Sequence, residues 1–231
     1  SEMCIRDSKD ILLLKTIDGE YKTLEEYPKA DKNKVYYVTD ENLQAQYISM
    51  FRANGLTAAV LDHVIDPHFI SMLEYKEPDK IKFLRIDSDL GSALKSEQSQ
   101  EQKEQLEQND KELIECFKKY LPDQKLTFQV ESLKAQDTPA VILLSEYARR
   151  IQDMSRVMGE NFAPETQTTL VLNRDNEIIK RLPSLSDENK ELICQQVYDL
   201  AQIAHKPLSA EEMARFMQRN VKILELLTDK Q

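Results

Sequence analysis

DTPAVILLSEYARRIQDMSRVMG, residues 137–159, is the stretch from which the fold is read. Thr138-Pro139 favours an extended backbone, because the proline ring disfavours the helical region for the residue before it. The apolar run Ala140-Val141-Ile142-Leu143-Leu144 then has the length of a buried strand. Ser145 is placed to cap a helix, with Glu146 in the first turn where the helix dipole favours an acid. Tyr147, Ile151, Met154 and Met158 recur at spacings of four, three and four, which sets them on one helical face. Gly159 supplies a left-handed C-terminal residue. A strand thus feeds a helix with a methionine-bearing face. That face fits either the chain's own core or a soft docking surface, since flexible thioethers adapt to varied partners.

Upstream of this stretch the chain alternates. Val35-Tyr36-Tyr37-Val38 reads as a strand, and Leu43 to Ala53 as a helix ended by Asn54-Gly55. Thr57 to Leu61 reads as a second strand. A helix follows with Asp66 as its cap and Pro67 in its first turn, carrying Phe69, Ile70, Met72 and Leu73. Ile81 to Ile86 reads as a third strand. β-α-β-α-β with short helices predicts a small parallel α/β unit. Before it, Asp10 to Leu14 reads as a strand, and Thr23-Leu24-Glu25-Glu26 as a capping box on a helix kept short by Pro28.

Residues 87–112 turn polar and mark the domain boundary. Glu97 to Tyr120 is expected to be a helix, amphipathic late, where Leu113, Ile114, Phe117 and Tyr120 cluster. In Lys125–Leu133, Leu126, Phe128 and Val130 share one side of a half-buried strand, and Thr168 to Asn173 forms another. The last 46 residues, from Ser186, read as two helices, the first capped by Ser186 and the second by the box Ser209–Glu212. The first carries Ile193, Val197, Leu200, Ala201 and Ala204. The second carries Met213, Met217, Asn220, Leu224 and Leu227, flanked by Phe216, Val221 and Ile223. A helix apolar over that much of its circumference needs cover on two sides. A self-complementary seam in a twofold dimer, a four-helix arrangement, is the economical solution.

Composition bounds the function. The chain has 231 residues, 41% hydrophobic and 31% charged, enough for a sizeable core in one or two domains. The net charge is −10, with 12 basic and 17 acidic residues in 1–94 and 19 and 24 beyond, so acidity is spread evenly and disfavours nucleic acid as a partner. No apolar run approaches membrane-spanning length, and neither a membrane partner nor a signal peptide is expected. The three cysteines, Cys4, Cys116 and Cys194, lie far apart in sequence and form no CxxC, which indicates neither a disulfide framework nor a zinc site and suits a reducing compartment.

Chemistry for catalysis is missing from the pattern. Glycine occurs only at 19, 55, 91 and 159, so neither GxGxxG nor GxxxxGK[ST] follows any strand. His63, His68 and His205 have no second His or Cys at ligand spacing, so no metal is expected. Asp62 and Asp66, four apart, are explained by capping. Cys116 and Cys194, within amphipathic helices, read as small buried hydrophobes rather than nucleophiles. Arg149-Arg150 opens a solvated face. With no nucleophile–base pair in view, the chain is not expected to be an enzyme.

Several blocks together resemble a known family. KTIDGEYKTLEEY at 15–27, KVYYVT at 34–39, DTPA at 137–140 and DMSR at 153–156 look, in order and spacing over residues 9–227, like the HtpG-type bacterial heat-shock protein 90 chaperones. The resemblance implies a fold of two parts. Residues 9–90 would be the end of the family's middle domain, a small three-layer α/β unit. Residues 91–231 would be the mixed α+β dimerisation domain, ending in two helices that form an intersubunit four-helix bundle. Residues 1–8 fall outside the match and read as a cloning or processing remnant.

The same resemblance implies a homodimer joined through helices matching 187–205 and 209–227. It implies unfolded or partly folded client proteins as partners, bound at Met154, Val157 and Met158 and at a second patch around His68, Phe69 and Met72. His68 stands where the family often carries a large aromatic. ATP and magnesium belong to an N-terminal region of that family not represented in this sequence, so no cofactor is expected for this chain. The chain ends Asp229-Lys230-Gln231, without the MEEVD or KDEL tails of eukaryotic members, and a bacterial cytoplasmic source is expected.

Overall fold

The computed structural model describes residues 13–29, 33–63, 65–88, 90, 94–95, 100–123, 125–145 and 167–228. The chain divides into two compact units, one containing residues 1–90 and 144–166, the other 91–143 and 167–231.

The first unit opens on an antiparallel hairpin, β1 (Leu13–Lys15) with β2 (Tyr21–Thr23), turned through Gly19 at φ +81°. Thr23 and Glu26 do form the reciprocal capping pair. Thr23 N–H donates to Glu26 Oε2 at 3.1 Å, and Glu26 N–H donates to Thr23 Oγ1 at 3.3 Å. The box closes a turn instead of opening the expected helix, because Pro28 leaves no room to propagate one. The Thr23 N–H and the Thr23 hydroxyl, which donates to the same Oε2 at 2.9 Å, hold the Glu26 carboxyl below its usual range.

A three-stranded parallel sheet follows, in the order β4 (Ala59–Val60), β3 (Lys34–Val38), β5 (Lys82–Arg85). Helix α1 (Ala45–Ala53) joins β3 to β4, and α2 (Asp66–Lys76) joins β4 to β5. Gly55 at φ +66° takes the left-handed turn after α1 that a side chain would resist. Alternation along β3 divides its contacts. Val35 and Tyr37 share a core with Phe83, Leu61, and Ile70 and Leu73 of α2, while the Tyr36 ring meets Phe51 of α1 edge-on, centroids 5.0 Å apart. At the end of β5, Arg85 and Asp87 form a buried bidentate pair, both bonds 2.7 Å. Removing one partner of so buried a charge pair is costly, because the other stays desolvated.

In the second unit, α3 (Gln100–Tyr120) lays Leu113 and Phe117 onto a sheet ordered β6 (Leu126–Glu131), β8 (Thr168–Asn173), β7 (Ala140–Leu144). β6 and β8 run parallel, with Leu126 opposite Thr168 and Glu131 opposite Asn173. As the alternation predicts, Leu126 is buried and Phe128 and Val130 pack beside it. The expected start of this helix, at Glu97, lies outside the described residues.

Asn173 organises the loops at the end of this sheet. Fully buried, it makes four hydrogen bonds: Oδ1 accepts from Leu133 N–H (3.1 Å) and Asp175 N–H (3.2 Å), and Nδ2 donates to the carbonyls of Ala135 (2.9 Å) and Thr138 (2.8 Å). Every polar group of the amide is used, as burial requires. Asn176 then caps the short α4 (Glu177–Arg181), accepting from Ile178 N–H at 3.0 Å and donating to the Gln136 carbonyl at 2.8 Å. The side chains of Arg174 and Asp110 pair beside them, half-buried, tying α3 to the end of β8.

Candidate functional site

The chain closes with two antiparallel helices, α5 (Asp187–Ile203) and α6 (Ala210–Thr228). Both start as their sequences predict. Ser186 Oγ accepts from Asn189 N–H at 3.4 Å. Ser209 and Glu212 exchange bonds of 3.3 and 2.7 Å, and the bonds from Ser209 hold the Glu212 carboxyl below its usual range. Along their length the helices are latched by polar pairs. Gln202 Nε2 donates to Glu212 Oε1 (3.1 Å), Arg219 Nη1 to Asp199 Oδ2 (2.5 Å), Gln196 Nε2 to Asn220 Oδ1 (3.1 Å) and Lys222 Nζ to Glu188 Oε1 (2.7 Å).

These latches define an inner side of α6. At about 100° per residue, Glu212, Phe216, Arg219 and Ile223 fall within one sector facing α5. Met213, Met217, Val221 and Leu224 fall in a second sector roughly 120° away. No residue of α6 is buried, and the second sector is open: Met213 is 42% exposed, Met217 56%, Val221 53% and Leu224 62%, with Leu227 beside them at 66%. Leu200 of α5 adds a further large apolar side chain at 45% exposure. A contiguous apolar surface of this kind is uncommon on a free monomer.

The other residues expected in a dimer seam are less exposed. Phe216 and Asn220 are half-buried, and Asn220 is committed to Gln196. Ile193 packs on the unit's core. Val197, at 2% exposure, sits in this chain's own core among Leu113, Phe117, Cys194 and Ala201. Its spacing matched the seam because α5 carries two apolar faces, one for α3 and one for solvent.

Between α5, α6 and the turn after α3 lies an open cavity of about 430 Å³. Its floor is apolar (Leu121, Pro122, Leu126), and its walls carry Tyr120, Tyr198 and the already paired Asp199, Arg219, Gln202 and Glu212. Burial, with Asp123 and Asp199 adding to it, pushes the Tyr198 hydroxyl up to about 12.

In the first unit, α2 presents a second exposed stripe. His68 is exposed and Met72 is 36% exposed, but Phe69 turns half inward onto the core beside Ile70 and Leu73. Two residues that sequence reasoning passed over complete the stripe. Ile65, 70% exposed, and Tyr75, 88% exposed, give spacings of three, four and three with His68 and Met72. That helical period was the available signal. At the entrance to α2, Asp66 accepts from His63 N–H at 2.9 Å instead of capping forward, and His63 Nδ1 lies 2.8 Å from Asp62 Oδ1. These three side chains could each turn one ligand atom to a common point, but their own hydrogen bonds account for the geometry. Met154, Val157 and Met158, with the rest of the helix expected after Ser145, lie outside the described residues. No helix among the described residues is long and apolar enough to cross a membrane.

Comparison with known proteins identifies the family. The family model described as "Hsp90 protein" matches residues 12–230. The chain is 33% identical over 190 residues to the chaperone protein htpG of Bacteroides fragilis strain YCH46, covering 75% of this chain and 27% of that one. To the chaperone protein HtpG of Porphyromonas gingivalis strain W83 it is 35% identical over 183 residues, 74% and 26% of the two chains. The HtpG of Bacteroides thetaiotaomicron is 34% identical over 173 residues, 71% and 25%. The chain therefore spans about a quarter of the length of the curated relatives it matches. With blocks matching along nearly its whole length, the chain belongs to the Hsp90 protein family, on the branch of the HtpG heat-shock chaperones.

Proposed function

We propose that this chain is the C-terminal portion of an HtpG-type chaperone, which pairs with a second copy through α6 and Leu200 and offers apolar surface to incompletely folded proteins. The observation that carries the pairing is the division of α6: its polar inner side is satisfied within the chain, while Met213, Met217, Val221 and Leu224 stand open along one line. Two such hairpins facing each other about a twofold axis make a four-helix bundle, with each seam residue contributed twice. The first unit would then be a three-layer sandwich, its two helices on opposite faces of the sheet.

Client binding is assigned to the α2 stripe of Ile65, His68, Met72 and Tyr75, with Met154, Val157 and Met158 as a second surface. Large exposed apolar side chains with no chemistry attached suit recognition of unfolded segments without sequence preference. ATP and magnesium would act in a part of the parent protein outside this chain, which has no glycine-rich phosphate loop. Calorimetry showing tight ATP binding to this chain would overturn that division of labour. The parent is taken to work in the bacterial cytoplasm.

The pairing is tested by Leu224→Asp. Burying one leucine is worth about 1.5–3 kcal/mol, an uncompensated ion in an apolar seam costs several more, and twofold symmetry counts both twice. A loss of at least about 5 kcal/mol corresponds to between three and four powers of ten in dissociation constant. Sedimentation should show a monomer, and an unchanged wild-type mass would place the interface elsewhere. The rival reading is a dimerisation module without client affinity. It is favoured if Met154→Ser with Met158→Ser, and Met72→Ser with Tyr75→Ser, all leave binding to an unfolded model protein unchanged.

A further inference from the structure

Cys116 and Cys194 are 78 residues apart in sequence, yet their sulfurs lie 4.0 Å apart where α3 crosses α5. Both are free thiols. Cys194 is fully buried, and Cys116 is half-buried at the edge of the same core. We propose that this pair is an oxidation site at which peroxide converts two thiols into a disulfide tying α3 to α5.

The two environments assign the roles. Burial raises the Cys194 thiol above its ordinary range, and the neighbouring Cys116 adds to the effect, so Cys194 stays protonated and meets no solvent. Cys116 is the sulfur that an oxidant from solution can reach. Its thiolate attacks hydrogen peroxide. The O–O bond breaks, sulfur loses two electrons, and Cys116 becomes a sulfenic acid with release of hydroxide. The Cys194 sulfur then attacks the Cys116 sulfur. The S–O bond breaks, the departing hydroxide takes the Cys194 proton as water, and an S–S bond forms. Two thiols and one peroxide give one disulfide and two waters. The sulfurs must close by about 2 Å to reach bonding distance. A buried resolving thiol, slow in free solution, is effective here because it is held beside its target and the encounter is intramolecular.

The bond would fasten the helix that carries Leu200 to the core of its unit. It would also close a loop of 78 residues, so the oxidised chain resists unfolding more than the reduced one. Nothing in this depends on what the exposed seam binds.

The test uses the whole chain carrying Cys4→Ser, so that only this pair remains. Native protein is treated with hydrogen peroxide, quenched by alkylation, and mapped by mass spectrometry without reduction. The expected result is loss of both alkylatable thiols, a single peptide joined through Cys116 and Cys194, and a urea midpoint shifted upward and restored by dithiothreitol. Adding Cys194→Ala should stop the reaction at a sulfenic acid on Cys116, trapped by a 1,3-dione. Cys116→Ser should leave Cys194 unmodified under the same treatment. Persistence of both thiols, or bonds formed only between chains, would overturn the proposal. So would further oxidation of Cys116 to sulfinic acid without a cross-link.

Discussion

Asn173 offers the sharpest test of the second unit. Replacing it with alanine removes one amide and four hydrogen bonds at once. Two of the orphaned partners belong to buried residues, Leu133 and Thr138, and cannot turn to water. Each then costs about 1–3 kcal/mol, the desolvation penalty of an unsatisfied polar group. The other two, Ala135 and Asp175, are half-buried and rehydrate, losing about 0.5–1 kcal/mol apiece. The total is about 3–8 kcal/mol, at or beyond the upper end for a single substitution. Asn173→Asp should be no milder, because a carboxylate would face the carbonyls of Ala135 and Thr138, which need a donor. The reporter is hydrogen exchange at the Leu133 amide, whose protection should fall by a factor of about 10² to 10⁶ at 1.4 kcal/mol per tenfold. Urea unfolding followed by circular dichroism should show a lower midpoint. If Asn173→Ala stays within about 1 kcal/mol of wild type and the Leu133 amide keeps its protection, then this amide is not what fixes the loops, and the satisfied-network reasoning fails.

Other expectations reach the two surfaces and the helical hairpin. Met72→Ser with Tyr75→Ser should reduce the chain's ability to hold an unfolded model protein in solution. Both side chains are exposed, so stability should move by no more than about 0.5 kcal/mol; a large fall in stability instead would mean that the stripe is structural. The α5–α6 junction should weaken in acid. Its carboxyls Glu212 and Glu188 titrate below their ordinary value of 4.5, held down by Ser209 and by Lys222 respectively. A depressed folded value gives stability that is complete above 4.5 and is lost as pH falls through the folded value. Glu212→Gln should therefore lower the urea midpoint at pH 7, with a gap that narrows below pH 4.5. A gap independent of pH would show that the charge contributes nothing.

Much of the architecture was legible because it rests on short-range rules. β3, β4 and β5 announced themselves by apolar runs bounded by turn residues, and Ser186 and Ser209 marked the last two helices by capping chemistry that acts within one turn. The same box at Thr23 and Glu26 was right in its hydrogen bonds and wrong in its consequence, since a proline two residues later decides whether a cap has a helix to open. What stayed hidden depends on partners distant in sequence. Asn173 ends a strand and looks like any loop polar residue until Leu133, Ala135 and Thr138 arrive from 35 to 40 positions away. Cys116 and Cys194 read as separate small hydrophobes until two helices cross. Val197 and Leu200 are alike in periodicity and opposite in burial, because a helix pattern cannot say which of its apolar faces the chain itself will cover.

The two-sided build of α6 separates two tasks that a single helix often confounds. Arg219, Asn220 and Glu212 anchor the helix to its own hairpin, while Met213, Met217, Val221 and Leu224 stay out of those contacts. The outward residues can therefore be rewritten without dismantling the protomer. On the proposed pairing, exchanging them for a polar set should give a stand-alone folded monomer, and exchanging them for two complementary sets, one acidic and one basic, should give obligate mixed pairs. The strength of the proposed association would then be set on one face of one helix, while the inner face keeps its contacts with the rest of the chain.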